Sequence, residues 1–155
     1  MGRSAPSLAA LALVVWAAVG CGGPAPTPLA DGCTADPQGI VAALGTAPGP
    51  VVLEDGSPLS RCVADGTGDG ELQAVGITFA RAAERLRETA EADPATALRL
   101  GYLVGATQSG AARTNGVMAE LVRRIEIVAG RTADDASPAA RRALQQGLAA
   151  GADVG

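Results

Sequence analysis

A chain of 155 residues, once its first twenty are set aside, has room for one small domain and a tether. That remainder carries eleven arginines against sixteen acidic residues, a formal charge of −5 with no basic cluster, which excludes nucleic acid and anionic headgroups as electrostatic partners. Lysine and histidine are absent and Phe79 and Tyr102 are the only aromatics past residue 20, so a Ser-His-Asp triad, an imidazole zinc site and a stacking platform for sugars or bases are excluded as well.

Residues 1–20 read as an export signal. Arg3 and the amino terminus supply a basic start, and an uncharged apolar run follows from Leu8 to Val19. About twelve apolar residues are too few to span a hydrocarbon core as a helix, which takes about twenty, but they match the hydrophobic stretch of a signal peptide. The run ends in Ala18-Val19-Gly20-Cys21, which resembles the lipobox of bacterial lipoproteins: Val19, Gly20 and Cys21 match, and Ala18 stands where leucine is commonest. The resemblance implies diacylglycerol transfer to the Cys21 thiol, cleavage before it, and acylation of the new amino terminus. More than one acyl chain is what stable anchoring needs, because a single chain binds marginally. The implied location is the extracytoplasmic side of the cell envelope, on the cytoplasmic membrane of a monoderm or the outer membrane of a diderm. Gly22 lacks the aspartate that resembles an inner-membrane retention signal.

Cysteine count bears on the same residue. Three cysteines in an exported chain leave one unpaired; lipidation of Cys21 leaves Cys33 and Cys62 to form a disulfide, which an oxidising compartment favours. The alternative is two free buried thiols. Residues 21–32 form a lipidated tether, with Gly22 to Gly32 rich in proline and glycine and suited to an extended stalk.

Asp36-Pro37 marks a helix start and Gly45 a stop, with Ile40, Val41 and Leu44 as the apolar face between. Val51-Val52-Leu53 before Glu54-Asp55-Gly56 suggests a strand entering a tight turn, and Pro58 weakens any partner strand of such a hairpin. From Glu71 the pattern turns helical: Leu72, Val75, Phe79, Ala82, Leu86 and Ala90 recur at threes and fours, with charged residues, including the pair Arg87 and Glu91, opposite. Asp93-Pro94 starts a helix over about 94–107, apolar nearly all round and so expected to be the most buried. Its Ala97, Gly101 and Gly105 form a small-residue stripe open to close approach by another helix. A further helix is expected over about 115–129, with Val117, Met118, Leu121, Ile125 and Val128 on one face, a Glu120–Arg124 pair opposite, and Gly130 as its end. Ser137-Pro138 starts a last helix through Ala150, anchored by Leu144 and Leu148.

The resulting expectation is a mainly α protein. A single domain over 33–155 comprises a disulfide-tied, partly irregular segment (33–70) and a small antiparallel bundle of three to four helices (71–150).

One stretch suggests chemistry. In Asp65-Gly66-Thr67-Gly68-Asp69-Gly70-Glu71-Leu72, oxygen-bearing Asp65, Thr67 and Asp69 sit at positions one, three and five of a calcium-loop pattern, with Glu71 at seven, glycine at six and an aliphatic at eight. Two features depart from the pattern: position twelve is Gly76 rather than a bidentate acid, and no helix is expected before Asp65. The plainer reading is a glycine-rich turn capping the helix at Glu71, with Asp69 at its positive end. Carboxylates such as Glu84 and Glu88 lie among arginines, a setting for solvated ion pairs. No catalytic constellation and no cofactor are expected. The composite expectation is an envelope lipoprotein held by lipid on Cys21, noncatalytic, with a protein partner in the envelope or a structural role; the alternative is a small-ligand or calcium-binding module using 65–71.

Overall fold

The structure, a computed structural model, describes residues 28–66, 68–114 and 116–155, apart from the side chain of Asp69. The export segment, Cys21, most of the tether and Thr67 lie outside the described residues. Six α-helices are present among them: α1 (Pro37–Ala43), α2 (Leu59–Asp65), α3 (Asp69–Ala90), α4 (Pro94–Ala111), α5 (Ala119–Asp135) and α6 (Pro138–Val154). Short 3₁₀ turns at Asp31–Thr34 and Leu44–Thr46 flank α1.

Three helices start as their sequences require. Asp36, Asp93 and Ser137 each stand outside the first turn with side-chain oxygens accepting from backbone N–H groups, and proline follows at the first helical position, where its missing donor costs nothing. Asp93 accepts from the N–H groups of Ala95 and Thr96, both at 3.1 Å.

The expected mainly helical architecture is present, and several boundaries differ. Helix α2 stands where no helix was expected: Pro58 lies just outside its first turn rather than interrupting it, and Leu59, Cys62 and Val63 are buried. The segment Val51–Leu53 is extended but pairs only through an isolated bridge between Val52 and Pro58, since proline has no N–H to continue a ladder. Its tight turn does form, with Gly56 at φ +81° and Asp55 accepting from Ser57 N–H (2.9 Å) and Gly32 N–H (3.1 Å). Helix α5 begins at Ala119, not 115, because Gly116 takes φ +87° and turns the chain out of helical geometry. Gly130 lies inside α5, open to solvent, and the helix continues to Asp135. Helix α6 runs past Ala150 to Val154.

The four long helices alternate in direction. Leu72 to Ile77 of α3 lie along Met118 to Arg124 at the start of α5, and at the opposite end Ser137 N–H donates to the Glu91 carbonyl, at 3.1 Å. Helix α4 is central, touching α2, α3, α5 and α6, and residues 100–107 are all buried.

Its tightest neighbour is α6, which runs parallel to it. A Cβ on Gly101 would fall 1.9 Å from the Leu144 carbonyl oxygen and one on Gly105 2.1 Å from that of Leu148; on α6, Gly147 and Gly151 would meet the Leu98 and Tyr102 carbonyls at 1.9 and 2.1 Å. Each helix thus presents glycines four apart to the other's backbone, a reciprocal version of the stripe read on α4 alone.

One hydrophobic core runs from Cys33 through Leu144, so the 33–70 segment and the bundle share it. Cys33 and Cys62 form a disulfide with Cα atoms 5.2 Å apart, tying the first 3₁₀ turn to α2, both residues being buried.

Candidate functional site

The turn between α2 and α3 carries the calcium-loop residues. Asp65 ends α2, and its carboxylate accepts from Arg61 one turn earlier at 2.9 Å. Glu71, in the first turn of α3, reaches back to Gly68 N–H at 3.2 Å, half of a capping box whose other half a glycine cannot supply. The backbone of Asp69 begins α3, one position inside the Gly68 cap. The finding of α2 overturns one of the two departures from the calcium pattern, since a helix does precede Asp65; Gly76 remains at position twelve, within α3. Among the described residues no three acidic or cysteine side chains gather to hold a metal ion.

The charged surface is built from near-neighbour pairs on single helices. Glu84 accepts from Arg87 at 2.9 Å in place of the expected Arg87–Glu91 pair, and the bond raises the Arg87 pKa. Glu120 accepts from both Arg123 (3.0 Å) and Arg124 (2.8 Å), so the Glu120–Arg124 pair expected from the sequence is present with a second arginine beside it. These two guanidinium bonds, Arg123 first, bring the Glu120 carboxyl down to about 2.

A shallow groove of about 380 Å³ lies between α3 and α5, with Leu72, Ile77, Val117, Met118 and Leu121 as its apolar lining. Val117 was expected on the buried face of a helix. Because Gly116 delays α5, Val117 precedes it and is 64% exposed, and Ile77 across the groove is 45% exposed. The signal that could have revealed this was Asn115-Gly116, a pair suited to a turn with positive φ.

The groove adjoins the place where the chain enters the domain. Pro28 and Asp65 line one small depression, and the next residue, Gly66, sits so that a Cβ there would meet Leu72 Cδ2 at 3.4 Å and Met118 Cε at 3.9 Å. Among the described residues no helix is long and apolar enough to cross a membrane. No family model, curated protein or solved structure matches the chain.

Proposed function

We propose that the protein is an exported lipoprotein, anchored by acyl chains on Cys21, that presents a noncatalytic helical domain on the extracytoplasmic face of a membrane and there binds another envelope protein or has a structural role. The observation that carries this reading is the Cys33–Cys62 disulfide, which accounts for two of three cysteines and leaves over the one with lipobox-like flanks. The absence of histidine and the pairing of Glu84 and Glu120 with neighbouring arginines support a noncatalytic domain. Mass spectrometry of the chain purified from its own membrane tests the anchor: an N-terminal peptide starting at Cys21 with acyl mass is expected, and a mature chain starting elsewhere without it would overturn the reading. Crosslinking in intact cells followed by pull-down tests the partner, and recovery of monomer alone at cellular concentration would count against one.

A second reading, calcium binding at 65–71, draws support from α2, which gives the loop a helix on either side. Calorimetric titration with calcium, comparing the natural chain with Asp65→Ala and Asp69→Ala, decides it; no heat above that of buffer removes it.

A further inference from the structure

Helix direction fixes which parts of this protein share an end. Gly66 after α2, Leu72 at the start of α3 and Met118 before α5 lie together, the close of α6 meets Ser60 at the start of α2, and the 91–93 and 136–137 turns lie at the other end, where Ser137 bonds to Glu91. The 22 residues of α3 separate the two ends by about 33 Å at 1.5 Å per residue.

Pro28 lies at the first of these ends, beside Asp65, and so does the groove with exposed Ile77 and Val117. From Cys21 to Pro28 is seven residues, and even fully extended at about 3.5 Å each they reach only about 25 Å. A domain joined to acyl chains on Cys21 by so short a tether keeps this end near the headgroups and is too close to turn the far end freely toward them. The apolar contact on offer is a few side chains, too little to hold an untethered domain on a bilayer. A short tether changes that, because it makes the contact intramolecular and so raises its effective concentration.

Charge does not supply the attraction. Arg61 is engaged by Asp65, and Arg123 and Arg124 share the single carboxylate of Glu120, which offsets one of their two charges, within a domain whose net charge is negative. The occupant that fits a groove with this apolar lining, next to a lipid attachment point, is the acyl and headgroup boundary of the bilayer itself.

We propose that the α3–α5 groove, with Ile77 and Val117 at its mouth, is the face on which the domain rests against the membrane that anchors it. This rests on the lipoprotein reading. Helix α6, on the other side of the central α4, then faces away from the membrane.

The test supplies the anchor chemically, so it is separate from whether the native chain is lipidated. The mature chain, whose one cysteine outside the disulfide is Cys21, is coupled to maleimide-bearing phospholipid in phosphatidylcholine vesicles. It contains no tryptophan, so Val117→Trp and, at the opposite end, Ala92→Trp are clean single probes; both positions are exposed and outside helices. Expected is a blue-shifted emission for Val117→Trp with several-fold stronger quenching by brominated lipid than for Ala92→Trp, lost when the protein is left uncoupled. Ile77→Trp should behave like Val117→Trp. Equal and weak quenching at both ends, or an emission at 117 unchanged by vesicles, would overturn the proposal and leave the groove to a protein partner. Failure here with acyl mass found on native Cys21 would reject the docking face alone; success here without acyl mass on native Cys21 would reject the natural anchor.

Discussion

Among the described residues Tyr102 is the largest fully buried side chain, and its hydroxyl oxygen accepts from Val51 N–H at 3.1 Å, so one phenol ties α4 to the irregular segment before α2. In Tyr102→Phe the Val51 N–H, itself in a fully buried residue, loses its partner. A loss of about 1–3 kcal/mol in urea unfolding is expected, the usual cost of a stranded buried donor. Burial raises the Tyr102 pKa, with the Val51 bond opposing it. A raised pKa means the neutral phenol is favoured in the fold. Stability from it is therefore complete below the ordinary phenol range and declines as pH rises through the higher folded value, and Tyr102→Phe should flatten that alkaline decline. Asp93 shows the opposite sign. Its bonds from the Thr96 hydroxyl and then from Ala95 N–H lower its pKa, so its contribution is present at neutral pH and disappears as pH falls below the ordinary carboxylate value and through the folded one. Asp93→Ala should lower the melting temperature at pH 7 relative to the natural chain, and the gap should close in acid; a gap independent of pH would mean the cap acts without its charge.

At the level of elements, glycines divide into two sets by what a methyl group would meet. Gly101 and Gly147 face carbonyl oxygens across the α4–α6 seam, whereas Gly76 in α3 and Gly130 in α5 have nothing within 4 Å. Alanine at Gly101 or Gly147 should destabilise by about 3 kcal/mol or more, because main chain on both sides must move apart. Alanine at Gly76 or Gly130 should stabilise by roughly 0.5–1 kcal/mol, since a helix interior gains from the stiffer residue. Chemical denaturation of the four variants checks both halves. The long helices were legible because Val75, Phe79 and Leu86, or Leu121, Ile125 and Val128, repeat at helical spacing and are buried accordingly. The half of the seam on α6 was not, because Gly147 and Gly151 lie among alanines and read as composition until a partner helix is set against them. Helix α2 was hidden by Pro58, which can break a helix or precede one, and only the burial of Leu59, Cys62 and Val63 distinguishes the two.

For the molecule as a whole, the disulfide closes a loop across a sequence separation of 29, and replacing Cys33 and Cys62 together by alanine should cost about 3–4 kcal/mol by the chain-entropy estimate. Thermal melts of the natural and double-variant chains measure it; an unchanged midpoint would mean that the shared core alone sets the geometry of the 33–70 segment. The pairing followed from the cysteine count once the lipobox resemblance set Cys21 aside, whereas the groove could not be read from the sequence. Its exposure depends on two elements far apart in sequence, Ile77 on α3 and Val117 ahead of α5, and on the positive φ of Gly116 that keeps Val117 out of the helix.

The position of that disulfide also decides where a mechanical load would travel. A pull applied through residue 21 reaches Cys33 shortly after entering the domain and passes across the sulfur atoms into α2, leaving α1 and the Val51–Ser57 turn outside the line of force. Pulled from its two termini, the oxidised chain should therefore yield about 100 Å less extension than the reduced one, at roughly 3.5 Å for each residue shielded by the bond.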